Sequence, residues 1–304
     1  MMSKIKQFKD FRSFIDWLVY RFCQWLPDTI YLKIRYWLKM HKHLNLKKPK
    51  TFTEKLQWLK LYNRNPNYIK MVDKVQVKEY VSSLIGSKYV IPLLGVWDKP
   101  EEIDWASLPE QFVLKANNSG GNMGVVICRD KKNFDVQRAI RMLSKSLEKD
   151  IFRDMREWPY KNVPKRVFAE KYIAPNNDAR DLADYKWYCF NGEPTFCQVI
   201  QDRTTNETID FFDVEWNHQN FIGLNPSVTP SVTPIEKPKN LETHLYIARA
   251  LSKGIPFSRI DLYDTGSCIY FGEITLYPAS GIGFFVPQHY DTILGNMIRL
   301  DDLK

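Results

Sequence analysis

The chain has 304 residues, of which 44% are hydrophobic, 14% aromatic and 26% charged, apolar enough to exclude intrinsic disorder and long enough for two or three packed subdomains. A formal net charge of +9 favours acidic partners: nucleotides, anionic saccharides, nucleic acid or a membrane headgroup surface. Five scattered cysteines, odd in number and without a C-x-x-C, argue against a disulfide framework or zinc knuckle and fit a reducing cytoplasm.

Aromatic residues and leucines at three- and four-residue steps (Phe14, Trp17, Leu18, Phe22, Trp25) predict helices over the first sixty residues, broken at Pro27-Asp28 and restarting over Thr29 to Lys39. Asp16 and Arg21 interrupt the apolar run Phe14 to Leu26 and no cleavage site follows, so it reads as neither a signal peptide nor a membrane span. Such helices either pack on the protein body or make a peripheral contact with the inner face of the cytoplasmic membrane, Lys33, Arg35, Lys39, Lys42, Lys47 and Lys48 facing phosphates.

Thr53 is the expected cap of a helix carrying Leu56, Leu59 and Tyr62. A helix from Lys74 to Ile85 closed by Gly86, then a β run over Tyr89 to Leu93, make one α/β unit. Strands follow at "QFVLKA" and "RVFAEKYI", with an amphipathic helix at "DVQRAIRMLSKSLEK" between them. Asn191-Gly192 predicts a tight hairpin between "DYKWYCF" and "PTFCQVI", because both turn positions need positive φ. A second hairpin sheet, "RIDLY" with "IYFGEITLY", turns at Thr265 to Ser267 after a proline-rich loop "NPSVTPSVTPIEKP" and a helix from Leu241 to Lys253. The pattern is that of an α+β protein.

Two stretches carry chemistry. Alternation places Lys115 opposite Phe112 and Leu114, at the mouth of a loop holding Asn118, Ser119, Gly120, Gly121, Asn122 and Gly124. Backbone N–H groups of such a loop can cradle an anion beside a lysine point charge; a plain turn is the alternative. In the second hairpin Arg259 shares a strand face with Asp261, and Glu273 with Thr275. A three-residue turn brings the two faces together with Glu273 diagonal to Asp261, about 7 to 8 Å away. Two carboxylates so placed suit Mg²⁺; a salt bridge to Arg259 is the alternative. Lys186 and Glu170 lie on apolar strands, as site residues or satisfied structural ions. No H-E-x-x-H or G-x-S-x-G occurs.

In order, the strand lysine, the glycine-bearing loop, "EKYI", "DYKWYCFNG" and R-x-D followed by G-E-x-x-x-x-P resemble the ATP-grasp ligases, specifically the branch named for teichuronopeptide synthesis (TupA-like), often found with surface-polysaccharide genes. The resemblance implies an ATP-grasp fold, two α/β subdomains clasping ATP behind an N-terminal helical region. It implies ATP and Mg²⁺ as cofactors, Lys78 and Lys115 on the α- and β-phosphates, and the loop from Asn118 to Gly124 as a flap. Glu170 with the backbone of Lys171, Tyr172 and Ile173 resembles the adenine hinge. Lys186 resembles a further phosphate or ribose contact, Asp261 and Glu273 the metal ligands, and Arg259 the group that stabilises the transferring phosphoryl. Thr275 stands where many relatives have asparagine, a poorer third ligand.

The implied activity is ADP-forming ligation, through an acyl phosphate, of an amino acid or other amine to a carboxylate such as a uronic acid in surface-polysaccharide synthesis. A glycosyltransferase, or a basic non-enzymatic module binding membrane or nucleic acid, is the alternative; the ligase reading expects no nucleic-acid partner. The expected division is a helical region over 1–65, a pre-grasp α/β segment over 66–110, a small subdomain over 111–175 and a metal-bearing subdomain over 176–304.

Overall fold

The computed structural model describes residues 11–118, 120, 124–174, 182–202, 205–225 and 227–301; Ser119, Gly121 and Asn122 of the expected flap lie outside them. Helices α1 (Phe11–Phe22) and α2 (Asp28–Met40) bury Val19, Tyr31 and Leu38 between them. Arg35 does not face outward: it is 2% exposed and pairs with Asp16 (2.5 Å) and Asp154 (2.9 Å), because a guanidinium inside the packing needs carboxylates around it.

Helix α3 (Phe52–Tyr62) is capped by Thr51, two residues earlier than Thr53: Glu54 N–H donates to the Thr51 hydroxyl and the Glu54 carboxylate accepts from Thr51 N–H. Thr53 is instead buried, its N–H and hydroxyl each donating to Asp291 at 3.0 Å. Phe52 enters the main core, edge-on to Phe257 at 4.8 Å between ring centres. Helices α4 (Asn67–Val72) and α5 (Gln76–Ile85) follow, and Gly86, at φ +98°, ends α5 as expected.

The β run after α5 starts later than its sequence suggests. Ser87–Tyr89 forms a 3₁₀ turn, Val90 makes only an isolated bridge to Phe271, and the strand proper is β1 (Leu93–Trp97). Pro92 lacks the N–H that would continue a ladder through this point. With β2 (Phe112–Ala116), β3 (Val125–Cys128) and β4 (Val167–Lys171), β1 forms an antiparallel sheet of order β1-β4-β2-β3. Helix α6 (Val136–Leu147) buries Ala139 and Leu143 against Phe112 and Leu114 of β2; α7 (Ile151–Met155) follows it.

Both hairpins belong to one sheet, not two. Strands β5 (Asp184–Phe190) and β6 (Glu193–Gln201) turn at Asn191 (φ +52°) and Gly192 (φ +88°), the two positive-φ positions the turn type demands. The sheet continues through β7 (Thr208–Asp213) to β8 (His218–Gln219). On the other side β5 pairs with β10 (Phe257–Asp264) and β10 with β11 (Ile269–Thr275), giving the antiparallel order β11-β10-β5-β6-β7-β8. Helix α8 (Leu241–Ser252) covers one face. Strands β9 (Ile222–Leu224) and β12 (Phe284–Val286) pair separately, and α9 (Tyr290–Met297) returns the chain to α3.

Candidate functional site

Across four neighbouring strands of the six-stranded sheet, Glu273, Asp261, Lys186 and Gln198 stand directly opposite one another in register. Lys186 Nζ bonds Asp261 Oδ2 and lies 3.8 Å from Asp184. Arg259, two residues along from Asp261 and so on its face, donates through Nε and Nη2 to Asp261 (2.6 and 2.7 Å) and through Nη2 to Glu273 at 3.1 Å. Its Nη2 also donates to the Thr275 hydroxyl, which donates in turn to Glu273 Oε1, both at 3.1 Å. Thr275 therefore orients Glu273.

The register departs from the expected diagonal, and the reason is local. Four residues, Thr265 to Cys268, separate β10 from β11, and a bulge at Gly272 adds one more, so Asp261 faces Glu273 directly. Without the bulge Glu273 would turn to the opposite face. A Cβ on Gly272 would lie 3.1 Å from the Asp261 carbonyl oxygen and 3.2 Å from Tyr263; the close backbone approach selects glycine.

On the four-stranded sheet, β2 alternates as expected: Phe112, Leu114 and Ala116 are buried while Lys115 is turned the other way. Lys115 Nζ meets Glu170 Oε2 of β4 at 2.5 Å, and Lys78 Nζ of α5 meets Glu170 Oε1 at 2.5 Å while donating to the Ile91 carbonyl at 2.8 Å. Burial would push the Glu170 carboxyl up, but Lys115 and Lys78 outweigh it and hold it below the usual range. Burial lowers Lys78 in the same cluster. At the start of the loop Asn118 Nδ2 donates to the Lys149 carbonyl at 2.9 Å, tethering the loop to the chain after α6. Gly124, at φ +79°, returns a 2.9 Å bond to Ala116 N–H, and a Cβ there would collide with Ser146 Oγ at 2.3 Å.

One cleft of ≈1610 Å³ joins these groups, lined by Lys115, Gly120 and Glu170 to Ile173 on one side and by Lys186, Arg259, Asp261 and Glu273 on the other. That volume exceeds a single small-ligand pocket of roughly 300–1,000 Å³. Lys78 stands behind Glu170, outside the lining. Tyr263 also lines the cleft: Asp184, burial, Glu273, Asp261 and Glu170 together raise its hydroxyl well above the ordinary tyrosine value, so its proton stays bound.

The sequence profile of the TupA-like ATP-grasp family matches residues 54–299. The chain belongs to that family. The matched span runs from within α3 to beyond α9 and takes in every group described above; α1 and α2 precede it. No curated protein matches the chain. Among solved structures, the D-alanine–D-alanine ligase from Bacillus anthracis, complexed with ATP, is similar at 19% identity with a TM-score of 0.43, over 75% of this chain and 63% of that one. The corresponding ligase from Helicobacter pylori is similar at 15% identity and TM-score 0.47, over 81% and 69%. The ATP-grasp ligase PsnB, complexed with a phosphomimetic variant of its minimal precursor, Mg and ADP, is similar at 11% identity and TM-score 0.42, over 81% and 65%. The chain thus spans less than two thirds of the first of these ligases.

In this TupA-like ATP-grasp chain Asp261 and Glu273 are carboxylate donors that face the cleft. Burial would raise Glu273, but Lys74, Arg259 and Lys186 hold its carboxyl well below the usual carboxylate range. At Asp261 burial prevails over Arg259 and Lys186 and lifts the carboxyl above its ordinary value. Arg259 itself is raised: burial would lower it, but Asp261 and Glu273 outweigh the effect and keep it charged. Among the described residues no three His, Cys, Asp or Glu side chains enclose a metal alone. Two adjacent carboxylates, Asp261 buried and Glu273 half-buried at the cleft, fit Mg²⁺, which takes one or two from protein and completes its shell with water and phosphate.

Sequence reasoning missed Lys74, whose Nζ lies 3.4 Å from Glu273 Oε2 and which lines the cleft. It also missed Tyr263 and Gln198. Their signal was alternation along β10 and β6, which places Tyr263 with Asp261 and Gln198 beside Lys186.

Proposed function

We propose that the protein is an ADP-forming carboxylate–amine ligase that uses ATP as co-substrate and Mg²⁺ as cofactor. The observation that carries this reading is the single cleft holding Lys115 and Glu170 on one sheet against Lys186, Arg259, Asp261 and Glu273 on the other, in a chain of an ATP-grasp family. Lys115 and Lys186 are the phosphate-facing charges, with Lys78 fixing Glu170 so that Lys115 stays aimed at the cleft. The backbone of Lys171 to Ile173 borders the purine, and the loop from Asn118 to Gly124 covers the phosphates. Asp261 and Glu273 would hold Mg²⁺, which would neutralise charge on the phosphoryl oxygens. Segments 111–175 and 176–304 act as the two lobes, behind the helical region (1–65) and the α/β segment (66–110).

In the reaction proposed, the substrate carboxylate attacks the γ-phosphorus, the bond to the β–γ bridging oxygen breaks and ADP leaves. The amine nitrogen then attacks the acyl carbon, gives up a proton, and phosphate departs. Arg259 donates to oxygens that gain charge; such transfer needs positioning and electrostatics more than a protein nucleophile. The cleft runs on past this cluster to Arg12, Lys39 and Lys149, cationic groups that suit a uronic-acid acceptor of surface-polysaccharide synthesis.

The test is ADP release with amino acids and uronic acids offered singly and in pairs, with the amide detected by mass. Release that requires both an amine and a carboxylate, with a mass gain matching their condensation, is expected. ADP release that tracks a nucleotide sugar, or no turnover with any pair, would refute it.

A further inference from the structure

The positive charge of this chain is not spread over it. Residues 1–50 contain twelve Lys and Arg against three Asp and Glu, a formal +9 equal to that of the whole chain, so residues 51–304 balance at 32 of each sign. Two of the three acids are spent internally, Asp16 on Arg35 and Lys39, and Asp28 on Arg64 and Arg156. Arg21, Lys33, Lys42, Lys47, Lys48 and Lys50 are exposed.

The same segment exposes apolar side chains that the fold leaves uncovered. Trp25 is 78% exposed, Phe11 75% and Phe22 58%, with Ile30 and Trp37 also in water. Their spacing is ordered: Phe11 and Phe22 are eleven residues, three helical turns, apart on α1, and Ile30, Lys33 and Trp37 recur at three and four residues on α2. The opposite side of α2 is buried through Leu32 and Tyr36. Arg12 near the start of α1 stacks 5.0 Å over Trp37 near the end of α2, so the helices form an antiparallel hairpin with aromatics at both ends.

We propose that the α1–α2 hairpin docks this protein on an anionic lipid surface. Basic groups beside exposed tryptophan, phenylalanine and isoleucine match a bilayer interface, where headgroup phosphates attract the cations and the acyl boundary takes up the apolar side chains. A nucleic acid offers the first partner but no hydrocarbon for Ile30 and Phe22. A second copy of residues 1–50 would bring +9 against +9. Because Arg12, Trp17, Lys39 and His41 of this hairpin also line the cleft, docking sets the cleft's far end against the membrane and favours an acceptor carried there. The docking is independent of the ligase reading, since it concerns binding alone; only the membrane-carried acceptor rests on that reading.

The experiment is co-sedimentation of the full chain with phosphatidylcholine vesicles, with and without phosphatidylglycerol, at low and high salt. Wild type is expected to partition onto the anionic vesicles, weakening with salt. Phe22→Ser with Trp25→Ser, and separately Lys47→Glu with Lys48→Glu, are each expected to lower the partition coefficient by at least about tenfold, with unfolding midpoints unchanged because these side chains are exposed. Equal binding to neutral vesicles, or none to anionic ones, overturns the proposal. So does binding that Phe22→Ser with Trp25→Ser leaves unchanged and that double-stranded DNA matches, or a dimer in solution that this variant abolishes.

Discussion

Glu170→Gln removes the anion shared by buried Lys78 and half-buried Lys115. The carboxylate is 6% exposed, Lys78 9% and Lys115 16%, with both contacts at 2.5 Å. Breaking a buried ion pair from one side costs about 3–5 kcal/mol, a large part of the roughly 5–15 kcal/mol that holds a domain folded. Lys115 reaches the water of the cleft; Lys78 is left with the Ile91 carbonyl and bears most of the loss. Lys78→Met is expected to cost under about 2 kcal/mol, because Glu170 keeps Lys115 and methionine fills the stem's volume. Glu170→Gln combined with Lys78→Met should then be more stable than Glu170→Gln alone. Urea unfolding followed by tryptophan fluorescence reads all four proteins. The pH dependence adds a sign. The folded Glu170 carboxyl lies below its ordinary 4.5, so between the two values the unfolded chain binds more protons. Its stabilising contribution is complete above about pH 4.5 and is lost as the pH falls through the folded value, and the acid limb of Glu170→Gln should be shallower. A Glu170→Gln variant within about 1 kcal/mol of wild type, or effects that simply add in the double variant, would refute the reasoning.

Gly272→Ala should lower ATP turnover by up to roughly tenfold with the fold retained, since its Cβ would lie 3.1 Å from the Asp261 carbonyl oxygen and the neighbour must yield by only a fraction of the ~1 Å that costs about a hundredfold; steady-state kinetics beside circular dichroism checks it. Gly295→Ala should destabilise by about 1–3 kcal/mol or more, because its Cβ would lie 2.2 Å from the Lys50 carbonyl oxygen and 2.6 Å from Phe52 N; thermal unfolding reads it, and an unchanged midpoint would contradict the packing of α9 on α3. Lys115→Ala should weaken ATP binding by roughly tenfold or more, measured by calorimetry, whereas unchanged affinity would remove Lys115 from the phosphate site.

What was legible in the sequence was local. Asn191-Gly192 declared its turn because two adjacent positive φ angles select that pair, and strict alternation in β2 put Lys115 on the far side from Phe112 and Leu114. The helix stop at Gly86 came through for the same reason. The facing of Asp261 and Glu273 did not, because it depends on one bulged residue and one extra turn residue that shift the ladder without changing composition. Thr51 and Thr53 are both good caps; what decided between them was Asp291, 238 residues away, which accepts from Thr53. The partners of Lys74 and Lys78, Glu273 and Glu170, lie on strands of two different sheets far along the chain, which no local pattern reveals. Strands β8, β9 and β12, two or three residues each, are too short for any periodicity to show.

The central claim is that a nucleotide and Mg²⁺ share the cleft between the two sheets, and calorimetric titration of ATP with and without Mg²⁺ tests it most directly. Wild type should bind ATP markedly more tightly with the metal, and Glu273→Gln, folded as wild type, should lose that gain. Equal ATP affinity for both proteins whether or not Mg²⁺ is present would contradict the account.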